Sequence, residues 1–112
     1  MSCLFYFLES SFFDFLENGD SPFCLTAELL ETNIVEAQKS GQTVKAFIYC
    51  NPHNPLGVVY PKDLTISLMK VCKKHRVHFI SDEIYGLSVF DPSSSFDSVL
   101  SIPKDQVVTV VK

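Results

Sequence analysis

Two short polar motifs, each set directly after an apolar run, constrain this chain more than anything else in it. Val44 to Cys50 leads into Asn51-Pro52-His53-Asn54-Pro55-Leu56-Gly57, and Val77 to Ile80 leads into Ser81-Asp82-Glu83-Ile84-Tyr85. Apolar runs of that length, bounded by turn residues, read as strands. A helix-sized segment lies between them. The order strand, helix, strand, with a connection of that length, makes the two strands parallel neighbours joined by a right-handed crossover. Their carboxyl ends then share one edge of the sheet, the edge at which open α/β sheets bind ligands. Asn54, Asp82 and Tyr85 are therefore expected along one rim, although the chain separates them widely.

The rest of the chain fits the same α/β plan, a partial doubly wound, mostly parallel sheet with flanking helices. Residues 3 to 8 read as a buried strand that lacks an upstream partner. Ser10 to Pro22 mixes phenylalanines with Asp14, Glu17, Asn18 and Gly19; it reads as a loop with a turn at Asn18-Gly19, or as a short amphipathic helix over Phe12 to Leu16. Thr26 can cap a helix that runs to about Ser40, with Leu30, Ile34 and Ala37 as its buried stripe and Gly41 as its stop. Pro61 opens a second helix whose expected core face is Leu64, Leu68, Val71 and Cys72. Lys73, Lys74 and Arg76 sit where the helix macrodipole favours cations. Asp91 to Ser98 is a serine-rich surface loop, and Gln106 to Val111, rich in β-branched residues, reads as a further buried parallel strand.

Composition narrows the function. At 112 residues the chain can build one core but is short for a cofactor-dependent α/β enzyme. The net charge of −4 is spread along the sequence, with no basic stripe for nucleic acid and no polybasic run for a membrane surface. Cys3, Cys24, Cys50 and Cys72 are scattered, with no Cys-x-x-Cys pair. That pattern reads as reduced, buried thiols in a cytoplasmic protein. The apolar run Leu4 to Leu8 is too short, and too poorly flanked, for a signal peptide or membrane span. No Gly-x-Gly-x-x-Gly or phosphate-loop sequence occurs, which argues against an unrelated nucleotide-binding domain.

The spaced pair Asn-Pro-x-Asn-Pro-x-Gly and Asp-x-x-Tyr resembles the large domain of the fold-type I, pyridoxal-phosphate-dependent aminotransferases of class I/II. Leu56, where most members carry threonine, resembles the 1-aminocyclopropane-1-carboxylate synthases and synthase-like proteins more closely, as do Asp82-Glu83-Ile84-Tyr85 and the trailing Ser88-Val89-Phe90. The likeness runs from about Leu25 to the C-terminus. It implies two parts, an N-terminal remnant strand and loop over 1–24 and a partial large domain over 25–112. Members are several times longer, so the chain is expected to be a fragment.

The resemblance also assigns chemistry. Pyridoxal phosphate works as an electron sink only with its ring nitrogen protonated. A carboxylate about 4 Å away, at an effective dielectric near 20, contributes roughly 4 kcal/mol, or about three pKa units, toward holding that proton. Asp82 falls to this role by resemblance, while Asn54 and Tyr85 fall to the phenolic oxygen as donors. The resemblance further implies a cis Asn54–Pro55 bond aiming Asn54, and Gly57 permits the backbone after it. Taken singly, an Asn-Pro pair is usually a turn and an aspartate after a strand is usually a cap; the two motifs on one sheet edge favour cofactor contact.

Glu83 reads as structural, His53 as a packing or solvent residue, and His75 with His78 as a solvated helix end and a strand histidine. A third metal ligand at a recognised spacing is missing. The family's Schiff-base lysine follows the strand matched by Gln106 to Val111 in a Ser-x-Ser-Lys or Ser-Lys-x-x-Gly context. Neither context surrounds Lys112, so no catalytic residue is assigned. The expected whole is a transaminase or carbon-sulfur lyase acting on an amino acid at its α-carbon; the chain by itself is expected to be inactive, to bind the cofactor weakly at best, or to serve as a non-catalytic, homodimerising module.

Overall fold

The computed structural model describes residues 3–7, 25–54 and 56–103, the first of these as backbone. Three parallel strands stand in the order β1 (Cys3–Phe7), β2 (Thr43–Cys50), β3 (His78–Asp82). Helix α1 (Ala27–Lys39) precedes β2, and α2 (Lys62–His75) links β2 to β3. Stepping the same way across the sheet puts successive crossovers on one face, and both helices pack there, on Phe47, Tyr49 and Phe79. The sequence reading of β1, α1, β2, α2 and β3 holds to within one or two residues. The expected segments at 10–22 and 106–111, and the Asn54–Pro55 bond, lie outside the described residues.

The helix ends follow their sequences. Thr26 Oγ1 accepts the Leu29 N–H at 3.1 Å, opening α1. At the other end the Gln42 N–H reaches the Ala37 carbonyl and the Gly41 N–H that of Gln38, each at 3.0 Å. That closure needs a left-handed residue, and Gly41 supplies it at φ 81°. Helix α2 starts after Pro61, which stands as the N-cap, and ends on Arg76 in the left-handed conformation.

Strand β2 carries an irregularity that serves the core. Leu4 pairs with Val44 but Phe5 pairs with Ala46, so Lys45 is one residue too many. A bulge of this kind flips the alternation of side chains. Val44 thereby shares the helix-covered core with Phe47 and Tyr49, while Lys45 is exposed.

The core face of α2 differs from the expected one. Thr65 and Met69 are buried beside Leu68, Val71 and Cys72, whereas Leu64 is only partly so. Thr65 is inside because the Tyr49 hydroxyl needs a partner there, and the two oxygens lie 2.9 Å apart. Burial pushes the Tyr49 phenol well above its ordinary range, and pushes the Cys72 thiol up to about 12.

His75 corrects the reading of a solvated helix end. Its side chain is only 14% exposed, and its Nε2 lies 2.7 Å from Glu31 Oε1, which Lys74 Nζ also approaches at 2.6 Å. The two helices thus meet through one carboxylate as well as through their apolar faces. His78 is exposed on β3. No helix among the described residues is long and apolar enough to cross a membrane.

Candidate functional site

The polar rim begins where β2 runs out. Asn51 is buried, at 2% exposure, and precedes Pro52 through a cis peptide bond. Its backbone N–H donates to the Asp82 carbonyl at 3.0 Å, one step beyond the Cys50 and Asp82 pair of the ladder. Its side chain closes the loop that follows: Oδ1 accepts the Tyr60 N–H at 2.9 Å, and Nδ2 donates to the Tyr60 carbonyl at 3.3 Å. One amide thus mimics a strand partner and satisfies both backbone groups of Tyr60.

Inside that loop the chain turns tightly. The His53 N–H donates to the Val58 carbonyl at 2.8 Å, and the Gly57 N–H to the His53 carbonyl at 2.9 Å. Gly57 has φ 65°, which a side-chain-bearing residue would resist. The His53 ring stands edge-on to Tyr60, with centroids 6.1 Å apart. Asn54 is left at the exposed tip of a loop anchored at both ends.

The second motif leaves β3 at the same edge. Asp82 Oδ1 accepts the Ile84 N–H at 3.2 Å, which starts the turn beyond the strand. The Gly86 N–H reaches the Glu83 carbonyl at 2.8 Å, the Ser88 N–H reaches that of Tyr85 at 2.9 Å, and a 3₁₀ turn spans Gly86–Ser88. This turn brings Tyr85 to Asn54, whose Nδ2 donates to the phenolic oxygen at 3.1 Å.

Asn54 and Tyr85 are joined directly, then, and Asp82 stands on the same sheet edge. They do not all line one cavity. A cleft of about 270 Å³ beside the rim is walled by Asn54 and Tyr85, with Pro52, Val59, Val89 and Phe90 among its other residues, while Asp82 lies outside it. The residues Ser88 to Phe90 and Ser94 enter its wall without having been singled out as site residues. Asn51 was also missed. An asparagine between an apolar run and a proline was its only signal in the sequence.

Chemically, the rim offers two neutral donors at one point and a carboxylate acceptor at another. Because Tyr85 accepts from Asn54, its own O–H is left to donate outward, and the Asn54 amide keeps a second N–H. Two neutral donors so placed fit an oxygen carrying partial negative charge. The Asp82 carboxylate accepts one backbone N–H and has capacity for a further donor such as a ring N–H.

Comparison with known proteins points one way. Residues 16–111 match the family described as aminotransferase class I and II. Over 81 residues the chain is 43% identical to the human "Probable inactive 1-aminocyclopropane-1-carboxylate synthase-like protein 2", covering 72% of this chain and 14% of that protein. It is 45% identical over 83 residues to the human 1-aminocyclopropane-1-carboxylate synthase-like protein 1, covering 74% of this chain and 17% of that one. Among solved structures, a PLP-bound aminotransferase-like protein of Clostridium difficile 630 superposes with a TM-score of 0.55 at 38% identity, over 68% of this chain and 19% of that chain. The chain spans less than a fifth of the length of each.

Proposed function

Because this chain belongs to the class I and II aminotransferase family, we propose that its rim is the ring-holding part of a pyridoxal phosphate site. In this reading Asp82 pairs with the ring nitrogen, and Asn54 and Tyr85 donate to the phenolic oxygen. The observation that carries it is the Asn54 to Tyr85 hydrogen bond on the sheet edge that also bears Asp82. Pyridoxal phosphate, when bound, supplies an electron-accepting ring for bond cleavage at the α-carbon of an amino acid. The protein's share is to orient that ring and hold a proton on its nitrogen. None of the three residues carries a nucleophilic amine, so in this reading they orient the ring and form no bond to it. The wider protein acts on an amino acid, as transaminase or carbon-sulfur lyase, in the cytoplasm.

The test uses 4′-deoxypyridoxine 5′-phosphate, which has the ring and phosphate but no aldehyde, and so forms no imine with surface lysines. Titrated into the 112-residue chain and followed by amide NMR shifts, it is expected to bind weakly and to move Asn54, Asp82 and Tyr85 together. Asp82→Asn and Tyr85→Phe should each weaken it by about tenfold, the worth of one hydrogen bond to a charged partner. Binding that ignores both substitutions would overturn the reading.

A second reading is favoured by one feature. Leu87 and Phe90, 103% and 95% exposed, stand beside the rim. Such side chains suit a non-catalytic module that pairs with a second copy of itself.

A further inference from the structure

The segment carrying Tyr85 is held in place by very little apolar burial. Ile84, Leu87 and Phe90 are all exposed, so the turn after β3 is not anchored through its large side chains. What anchors it is Glu83, between the two site residues. Its Oε2 accepts the Ser98 hydroxyl at 2.6 Å; its Oε1 accepts the Val99 N–H at 2.8 Å and the Ser81 hydroxyl at 3.2 Å. Val99 is itself fixed, being buried in the core with Ile102. Ser98 caps the short 3₁₀ turn Val99–Ser101 through its bond from the Leu100 N–H.

One carboxylate therefore ties residue 83 to residue 99 and closes the neck of a loop. The loop contains Tyr85, together with the cleft residues Ser88, Val89, Phe90 and Ser94. Within it, a Cβ at Gly86 would stand 2.7 Å from the Phe96 ring, so the absence of a side chain there lets that ring lie close over the turn. Charge-assisted bonds from three donors can hold a loop that hydrophobic burial does not.

We propose that Glu83 is a positioning residue for the ring-holding rim: its carboxylate fixes the loop so that Tyr85 meets Asn54 and the cleft keeps its outer wall. This rests on the reading of Asp82 and Tyr85 given above. Glu83 takes no part in contacting the ring; it acts through its neighbours.

The test compares the wild-type chain with Glu83→Ala and Glu83→Gln by amide hydrogen exchange and by titration with 4′-deoxypyridoxine 5′-phosphate. In Glu83→Ala the Gly86 and Ser88 amides should exchange at least about tenfold faster, while amides of β2 and α2 keep their rates, and the probe should bind about tenfold more weakly. Glu83→Gln keeps an acceptor oxygen for Val99 and should recover most of both effects. Unchanged exchange at Gly86 and Ser88 would sink the proposal, as would a uniform rise through β2 and α2, which would make Glu83 a general stabiliser. If the wild-type chain shows no probe-induced shifts, the assignment of Asn54, Asp82 and Tyr85 fails instead, and the exchange pattern alone decides for or against Glu83.

Discussion

Asn51 illustrates how much a single side chain can settle. Its amide satisfies the N–H and the carbonyl of Tyr60 in a buried place, and its own N–H extends the pairing of β2 with β3. Removing the amide strands two backbone groups where water does not reach, and that loss is larger than the net worth of the bonds themselves. Asn51→Ala should cost about 2–4 kcal/mol, read as a lower urea midpoint at unchanged slope. An unchanged midpoint would show that the Tyr60 groups find other partners. The thiols offer a second check. Cys72 is buried with its pKa pushed up to about 12, whereas Cys50 is only partly covered and donates to the Pro52 carbonyl at 3.4 Å. An alkylating reagent should modify the partly covered Cys50 in the folded chain and Cys72, buried and held protonated, only after unfolding; peptide mapping at the two positions reads the difference.

Between elements, the contact of α1 with α2 has a pH dependence whose sign can be worked out. Lys74, and after it His75, holds the Glu31 carboxyl below its usual 4.5. A carboxylate depressed in the folded state contributes stability above its unfolded pKa and loses it as pH falls through the folded value. Glu31→Gln should therefore destabilise the chain at neutral pH, and its gap from wild type should close under acid conditions below that range; a gap independent of pH would mean that shape, not charge, matters there. This pairing was not legible in the sequence, since nothing in the spacing of Glu31 and His75 says which helix faces meet. The elements themselves were legible. Thr26, Gly41 and the apolar stripes announce α1 and α2, and the two runs before the polar motifs announce β2 and β3. The burial of Thr65 was hidden for the same reason as His75: it follows from Tyr49 on another element. The site was legible as a shared edge, and the contact of Asn54 with Tyr85 is consistent with that placement. What could not be read was that Asp82 stands outside the cleft, because this depends on how the 83–99 loop closes.

As a whole, the described molecule is a two-layer piece with two places where it could meet another copy. β1 and β3 are the outer strands of the described sheet, and outer strands invite pairing. The loop beyond β3 offers a different attraction, because Leu87 and Phe90 are almost completely exposed close together in sequence. Burying both side chains of both copies in a self-pairing, four in all, would contribute roughly 6–12 kcal/mol at about 1.5–3 kcal/mol each, which offsets an association cost of about 4–15 kcal/mol only in part and so confines pairing to high concentration. The two routes separate experimentally. The 112-residue chain should show concentration-dependent mass by light scattering, and the double substitution Leu87→Ser, Phe90→Ser should return it to a monomer with the same far-ultraviolet circular dichroism. If association persists in that variant, the loop is not the pairing surface. A wild-type chain that stays monomeric at every concentration would remove the self-pairing reading and leave the ring-holding one.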